Sequence, residues 1–420
     1  MKKITMSAVA LTAIMGSFSS VSAADGINIL DNIKVDGQIR PRYETVDDGR
    51  SVTANANALT ARTKLKASAN LLGVDGLSTS VGIISVNNFG YHEYNALDGN
   101  NYTDGSKPYA VVVDPQYAMI SNAEVNYKTG ATLIHAGRGQ VNLDNQRFIG
   151  TVGWRQLERS YDSVFVANNS IKNLSVLAAW VYGFQGVKAN PTADTNTVLL
   201  HAAYTVSPML KVTAYDYMIA SFADTYGLAL TGNVKMSGAS INYRAEYAMQ
   251  KDATMEIHDV SRKANADYFN LDVSGNIQGI LAGVNYEFQS GTEADSTANR
   301  TFSTPLGTNH KFNGWADKFL ATPKGGLQDM NLHIGYKAKG FGKVLAVYHQ
   351  FTADQNMVAG TGTSDDLGSE LDLLYANKVP GVNNLNGLVK YASYSGGDVD
   401  GYTSDVTKIW LGLDYKFSTK

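Results

Sequence analysis

Residues 33–44 alternate without a break. Ile33, Val35, Gly37, Ile39, Pro41 and Tyr43 share one parity, and Lys34, Asp36, Gln38, Arg40, Arg42 and Glu44 share the other. Side chains of a β-strand point to opposite faces with a period of two, so this pattern predicts a strand that separates an apolar medium from a charged, wet one. Segments of this kind recur to the C-terminus, about 18 in all, and the gaps between them alternate short with long. That rhythm matches a transmembrane barrel, whose short turns and long loops lie on opposite sides of the bilayer.

Three more segments carry the signal strongly. Leu59, Leu65, Ala67 and Leu71 oppose Arg62, Lys64, Lys66, Ser68 and Asn70. Ile241, Tyr243, Ala245, Tyr247 and Met249 oppose Asn242, Arg244, Glu246 and Gln250, and Ile280, Ala282, Val284, Tyr286 and Phe288 oppose Asn285, Glu287 and Gln289. A slip of one residue would turn Arg244 to lipid at a cost of roughly 2–4 kcal/mol, so the pattern also fixes the register. If the first connection is centred near Ser51, partners sum to about 102, which places Arg40 beside Arg62 and Gln38 beside Lys64. Tyr43, Tyr127, Tyr286, Phe288, Tyr415 and Phe417 lie near strand ends on the apolar parity, as an interfacial girdle requires. A soluble β-sandwich has the same period, but it cannot bury a face carrying this much charge. The expected fold is all-β: one transmembrane antiparallel β-barrel spanning residues 24–420. The last of its strands ends in 407–417, and 343–351 and 366–377 are strands separated by a loop.

Lys2 and Lys3, an apolar run at 6–15 and the small residues Val21, Ser22 and Ala23 read as a signal peptide over 1–23. Its removal takes two lysines from 35 basic residues and leaves 38 acidic ones untouched, a formal charge of −5. So weak a balance argues against nucleic-acid binding. The absence of cysteine excludes disulfides and thiolate chemistry. The seven histidines, His92, His135, His201, His258, His310, His333 and His349, form no catalytic spacing, and neither GxSxG nor HExxH occurs, so no enzyme is expected. Asp47 with Asp48, and Asp365 with Asp366, offer the oxygens Ca²⁺ takes, but solvated loop pairs account for them and no cofactor is expected.

The long gaps fall at 88–117, 141–161 and 290–326. The second is the third external loop if both termini are periplasmic. It carries Asp144, Arg147, Arg155, Glu158 and Arg159 among Phe148, Ile149, Val152 and Trp154, so apolar residues can pin it to the inner wall while the charged ones face water. The run GRGQVNLDNQRFIGTVGWRQLERSY at 137–161 and TPLGTNHKFNGWADKF at 304–319 resemble the alginate-export-like barrels and the related major outer membrane porins of epsilonproteobacteria. The resemblance implies 18 strands with inward-folded loops, and it casts Asp144, Arg147, Trp154, Arg155, Asn309, His310, Lys311, Trp315 and Asp317 as pore-shaping. Arg138 lies in the same block, and Gly139 is an extra residue against the family pattern, expected to bulge its strand.

Arg40, Arg42, Arg62, Lys64 and Lys66 form a basic wall on the lumen parity, whose counter-charge is expected from an inward loop, with Asp144 the first choice, or from passing anions. The reading is an outer-membrane porin passing small hydrophilic solutes and ions without a chemical step. An export conduit for an acidic polysaccharide such as alginate is the alternative. Its partners are then outer-membrane lipids and the passing solutes, and an apolar outer face suits a homotrimer as well as a single barrel.

Overall fold

The computed structural model describes residues 29–257, 262–293 and 299–419. The leader at 1–23 and His258 lie outside them. Eighteen strands form one sheet, each antiparallel to its neighbour, and the first, Leu30–Asp47, pairs with the last, Val406–Ser418. The sheet is thereby a closed barrel with no open edge, so its ladder N–H and C=O groups are paired at membrane depth.

The alternation has the physical meaning its period implies. Ile39 is 44% exposed outside, while Gln38, Arg42 and Glu44 are buried inside. Ile241, Tyr247 and Met249 likewise lie outside against Glu246 and Gln250, and Ile280 and Val284 against Glu287 and Gln289. An apolar exterior around a polar interior marks a transmembrane barrel of the outer-membrane type. The first hairpin has the register its spacing predicts, with Arg40 opposite Arg62 and Gln38 opposite Lys64.

Short turns cap the end that holds Leu30 and Ser418, and the long connections 88–116, 140–159 and 290–326 lie at the other. A small ribbon, Thr103–Asp104 with Lys107–Pro108, decorates the first of these, and a 3₁₀ turn, Asn309–Lys311, the last. Two expectations fail. The stretch 352–365 is mostly strand: Gly342–Ala359 and Gly362–Lys378 run on to a tight turn at Gly360. Register shifts between Thr352 and Met357 break the period of two there, which hides the strand in the sequence. Gly139 makes no bulge, since Thr132 to Gly139 pair with Asn168 to Tyr161 without a shift. The glycine that matters is Gly137, whose φ is 122° and where a Cβ would lie 2.2 Å from the Ala123 carbonyl oxygen.

Loop 140–159 and the stretch 299–326 of the last long connection fold into the barrel. Val141, Phe148 and Ile149 of one and Phe302 and Leu306 of the other pack on Tyr161, Tyr215, Tyr217 and Tyr268 of the inner wall. The Phe148 ring centre lies 5.3 Å from those of both Tyr215 and Tyr268. Across the lumen Ala316 and Phe319 join Phe351, Tyr394 and Trp410. Each large apolar side chain buried this way is worth roughly 1.5–3 kcal/mol, so the loops are drawn inwards by the same force that builds a soluble core.

Candidate functional site

The two loops bond to each other inside the barrel. Gly150 N–H donates to the Leu306 carbonyl and Thr308 N–H to that of Gln146, both at 2.9 Å, while the Lys311 ammonium donates to the Asn145 carbonyl at 3.0 Å. The result is a septum within the lumen.

Strand register prepares its seat. Glu246, Asn270, Glu287 and Asp329 are successive partners on four adjacent strands, so they form one inward polar row. Arg147, only 1% exposed, reaches this row: its Nε pairs with Glu287, and its terminal nitrogens donate to Thr304 at 3.2 Å and to Asn309 and Asn313 at 3.0 Å. The next stretch of loop rests on two carboxylates of one strand. Trp315 N–H donates to Asp372 at 3.2 Å and Ala316 N–H to Glu370 at 2.7 Å. Gly314 permits the approach, because its φ is 80° and a Cβ would stand 2.4 Å from Glu370 Oε2.

On the opposite side Arg155 links both loops to the first strand, donating to Glu44 at 3.1 Å and to Asp317 at 2.7 Å. Asp317 also receives Lys408 at 2.9 Å and His310 Nδ1 at 2.6 Å, and His310 Nε2 accepts from the Lys390 ammonium at 2.9 Å. These partners assign the ring proton to Nδ1. Burial pushes the His310 imidazole down to about 3, reinforced by the Lys390 charge, so the ring is neutral. Burial alone would raise the Asp317 carboxyl, but Lys408, His310 and Arg155 hold it well below the usual range. Trp154 stacks on His310 with ring centres 4.9 Å apart, and the Lys390 ammonium lies 4.1 Å from the Trp154 ring and 3.8 Å from that of Trp315.

The basic wall lies against this septum. Arg62 and Lys64 each reach Glu158 at 2.7 Å, and Lys66 reaches Glu124 at 3.0 Å. Arg40 donates to Gln156 at 3.0 Å and to the Gly153 carbonyl at 2.9 Å. Arg42 binds the Trp154 carbonyl, lies 3.5 Å from Asp114 and places its guanidinium 4.1 Å from the Trp154 ring centre. An inward loop therefore does supply the counter-charge, but the residue is Glu158. Asp144 instead pairs with His201 at 3.0 Å and Lys211 at 3.8 Å. It sits in a turn with φ of 47° at the start of the loop, whereas the end of the loop crosses to the basic wall. The loop charges also do not face water as expected; Arg147, Arg155 and Glu158 are buried and paired. Arg138 stands apart on the inner wall, holding Asp162 through two bonds at 2.6 and 2.7 Å.

Sequence reasoning passed over Asp114, Glu370, Asp372, Lys390 and Lys408. Their signal was available: Glu370, Asp372, Lys390 and Lys408 lie within strands on the inward parity, where charge needs a partner. The acidic pairs weighed as Ca²⁺ ligands have protein partners, Asp48 with Arg50 at 2.5 Å and Asp366 with the Gly368 N–H at 2.9 Å.

Below the septum, towards the short turns, the lumen holds two bays. One, of about 810 Å³, is lined by Arg40, Arg62, Lys64, Lys66, Lys378 and Lys416 against Asp36, Glu158 and Asp414. The other, of about 620 Å³, lies on the wall formed by the strands from Ala239–Lys251 to Gly342–Ala359.

No protein-family model and no curated protein matches the chain. Solved structures do. OccAB2 of Acinetobacter baumannii superposes with a TM-score of 0.70 at 16% identity, covering 93% of this chain and 99% of that one. OccK8 (OprE) of Pseudomonas aeruginosa gives 0.68 at 13% identity over 93% and 100%. OpdK of Pseudomonas aeruginosa, solved with vanillate, gives 0.69 at 12% identity over 92% and 99%. The fold is that of the outer-membrane porins. On this porin fold the septum, the basic wall and the two bays are what distinguish one wall of the lumen from another.

Proposed function

We propose that the chain is a porin: a passive, water-filled channel for small hydrophilic solutes and ions, narrowed by the septum of loops 140–159 and 290–326 and favouring anions along its basic wall. The observation that carries this reading is the unequal charge of the first bay, six basic side chains against three acidic ones. Arg40, Arg42, Arg62, Lys64, Lys66, Asp144, Arg147, Trp154, Arg155, His310, Lys311 and Asp317 shape the narrow region in this reading, and Arg138 lines the wall beside it. Much of the charge is spent on holding the septum, but the Lys64 and Lys66 side chains keep 21% and 32% of their surface open to the lumen. At 0.15 M salt the Debye length is about 8 Å, comparable with a narrow pore, so fixed charge there selects ions. The vanillate with which OpdK was solved is itself a small carboxylate, in keeping with this preference.

Membership of the alginate-export-like or epsilonproteobacterial porin families rests on the two sequence blocks alone. The polysaccharide conduit gains no support from the site, because the arginines that would meet a chain of uronates are already bonded to Glu287, Glu44, Asp317 and Glu158. The deciding experiment is planar-bilayer recording in a salt gradient. The parent channel is expected to show an anion-leaning reversal potential, and K64Q/K66Q to move it towards cations, most at low salt. A parent that conducts with no ion preference would remove the basic wall from the conduction path.

A further inference from the structure

The second bay differs in kind from the first. Register sets Asp272, Asn285, Asn331 and His349 side by side on four adjacent strands, one step nearer the short turns than the acidic row that seats the septum. Amides recur here and on the levels to either side: Asn285 and Asn331 in this row, Asn270 one step towards the septum, and Asn242, opposite Ser274, one step towards the short turns. Each is fixed at one end by the protein: Asn270 Nδ2 donates to Asn285 Oδ1 at 2.7 Å, Asn233 Nδ2 to Asn242 Oδ1 at 2.6 Å, and Asn331 Nδ2 to Asp329 at 3.3 Å. Among the described residues, the carbonyls of Asn270 and Asn331 and the amide nitrogens of Asn285 and Asn242 are left without a protein partner, in orientations already set.

Charge in the bay is partly offset. Arg244 is held by Glu246 at 2.6 Å, the Lys311 ammonium is turned to the Asn145 carbonyl, and Asp272 shares the lining with Lys343. Such a strip of fixed donors and acceptors suits hydroxyl groups, which both give and accept a hydrogen bond, better than it suits an ion. On the septum side the bay is closed by the half-buried rings of Phe312 and Trp315, and one aromatic face there can carry the C–H face of a sugar ring. Its volume of about 620 Å³ is that of a small-ligand site.

We infer that this bay is a binding subsite for an uncharged, hydroxyl-rich solute of sugar size, on a track separate from the basic wall. The inference rests on the porin reading above and adds a solute class to it. The amides hold the hydroxyls, and replacing two of them with apolar side chains removes those bonds while leaving the rings in place. A site built on hydrogen bonds loses its ligand steeply when they are removed.

The test uses the full chain in planar bilayers in KCl, with glucose or maltose added on the short-turn side. Both sugars are expected to interrupt the current in a concentration-dependent way, and the apparent Kd to rise at least tenfold in N242L/N285L. K64Q/K66Q, in the other bay, is expected to keep the parent's sugar dependence. Should the double variant not assemble, N285D keeps the size of the side chain but exchanges its free donor for an acceptor, and it too should weaken the interruptions. A channel that conducts KCl but shows no sugar interruptions, or whose interruptions survive both variants, overturns the inference and leaves the porin reading standing. A folded barrel that conducts no ions overturns both. Glucuronate interrupting far more strongly than glucose would assign the bay to acids and overturn the inference as well.

Discussion

Arg147 shows what a single buried charge does in this lumen. It sits among Glu287, Thr304, Asn309 and Asn313, so one side chain ties loop 140–159 both to the wall and to loop 290–326. Removing one member of a buried ion pair leaves the other uncompensated, typically at about 3–5 kcal/mol. Arg147→Met should therefore loosen the septum by about that amount, read as faster protease nicking within 140–159 in an intact barrel. Arg147→Met with Glu287→Leu should recover much of the loss. His310, on the opposite side of the lumen, makes the docking of the septum depend on pH. Its docked imidazole sits at about 3 against an ordinary value near 6.5, so the undocked state binds the extra proton and docking weakens as pH falls from about 6.5 towards 3. Asp317, lowered on docking, adds a further loss as pH falls through its own depressed value, below the ordinary carboxylate range. Acidification from pH 7 to 4 should raise channel conductance and noise, and His310→Asn should move that onset to lower pH; a parent current flat over this range would separate His310 from the docking of the septum.

At the scale of elements, the loop and the wall behave differently under deletion. Residues 143–153 contribute Arg147, Phe148 and Ile149 to the septum but no strand to the barrel, so their removal should leave a heat-resistant folded barrel with larger single-channel conductance. Equal conductance in a correctly folded deletion would place the narrow region elsewhere. The strands were legible in the sequence because one physical rule, a period of two between lipid and water, acts on each of them independently; Ile39 and Gln38 obey it without reference to the rest of the chain. The pairing of Arg40 with Arg62 followed from chain geometry across a single turn. The partner of that wall did not. Glu158 and Asp144 carry the same charge on the same loop, and which of them meets Lys64 depends on how the loop crosses the lumen, decided by Phe148 packing on Tyr215 and Tyr268 from distant strands. The extension of Gly342–Ala359 was hidden for the opposite reason, a local irregularity that erased the period while the strand continued.

For the whole molecule the governing fact is that every strand has one face in each medium. Spin labels at Ile39 and Val284 should report lipid and labels at Lys64 and Asn285 water; two equally wet sets would contradict a membrane-spanning barrel. The barrel closes where Gly37 meets Phe417, whose ring lies where a side chain on Gly37 would be. That seam joins the first and last strands, and the first of them, through Arg40, Arg42 and Glu44, is also what the end of loop 140–159 leans on. Lys408, on the last strand, holds Asp317. The septum is thus held by the first strand, the middle loops and the last strand of the barrel at once. A partly inserted sheet presents no finished septum, and the order of events in biogenesis is set accordingly: the wall must come round and meet itself before the passage it encloses is narrowed.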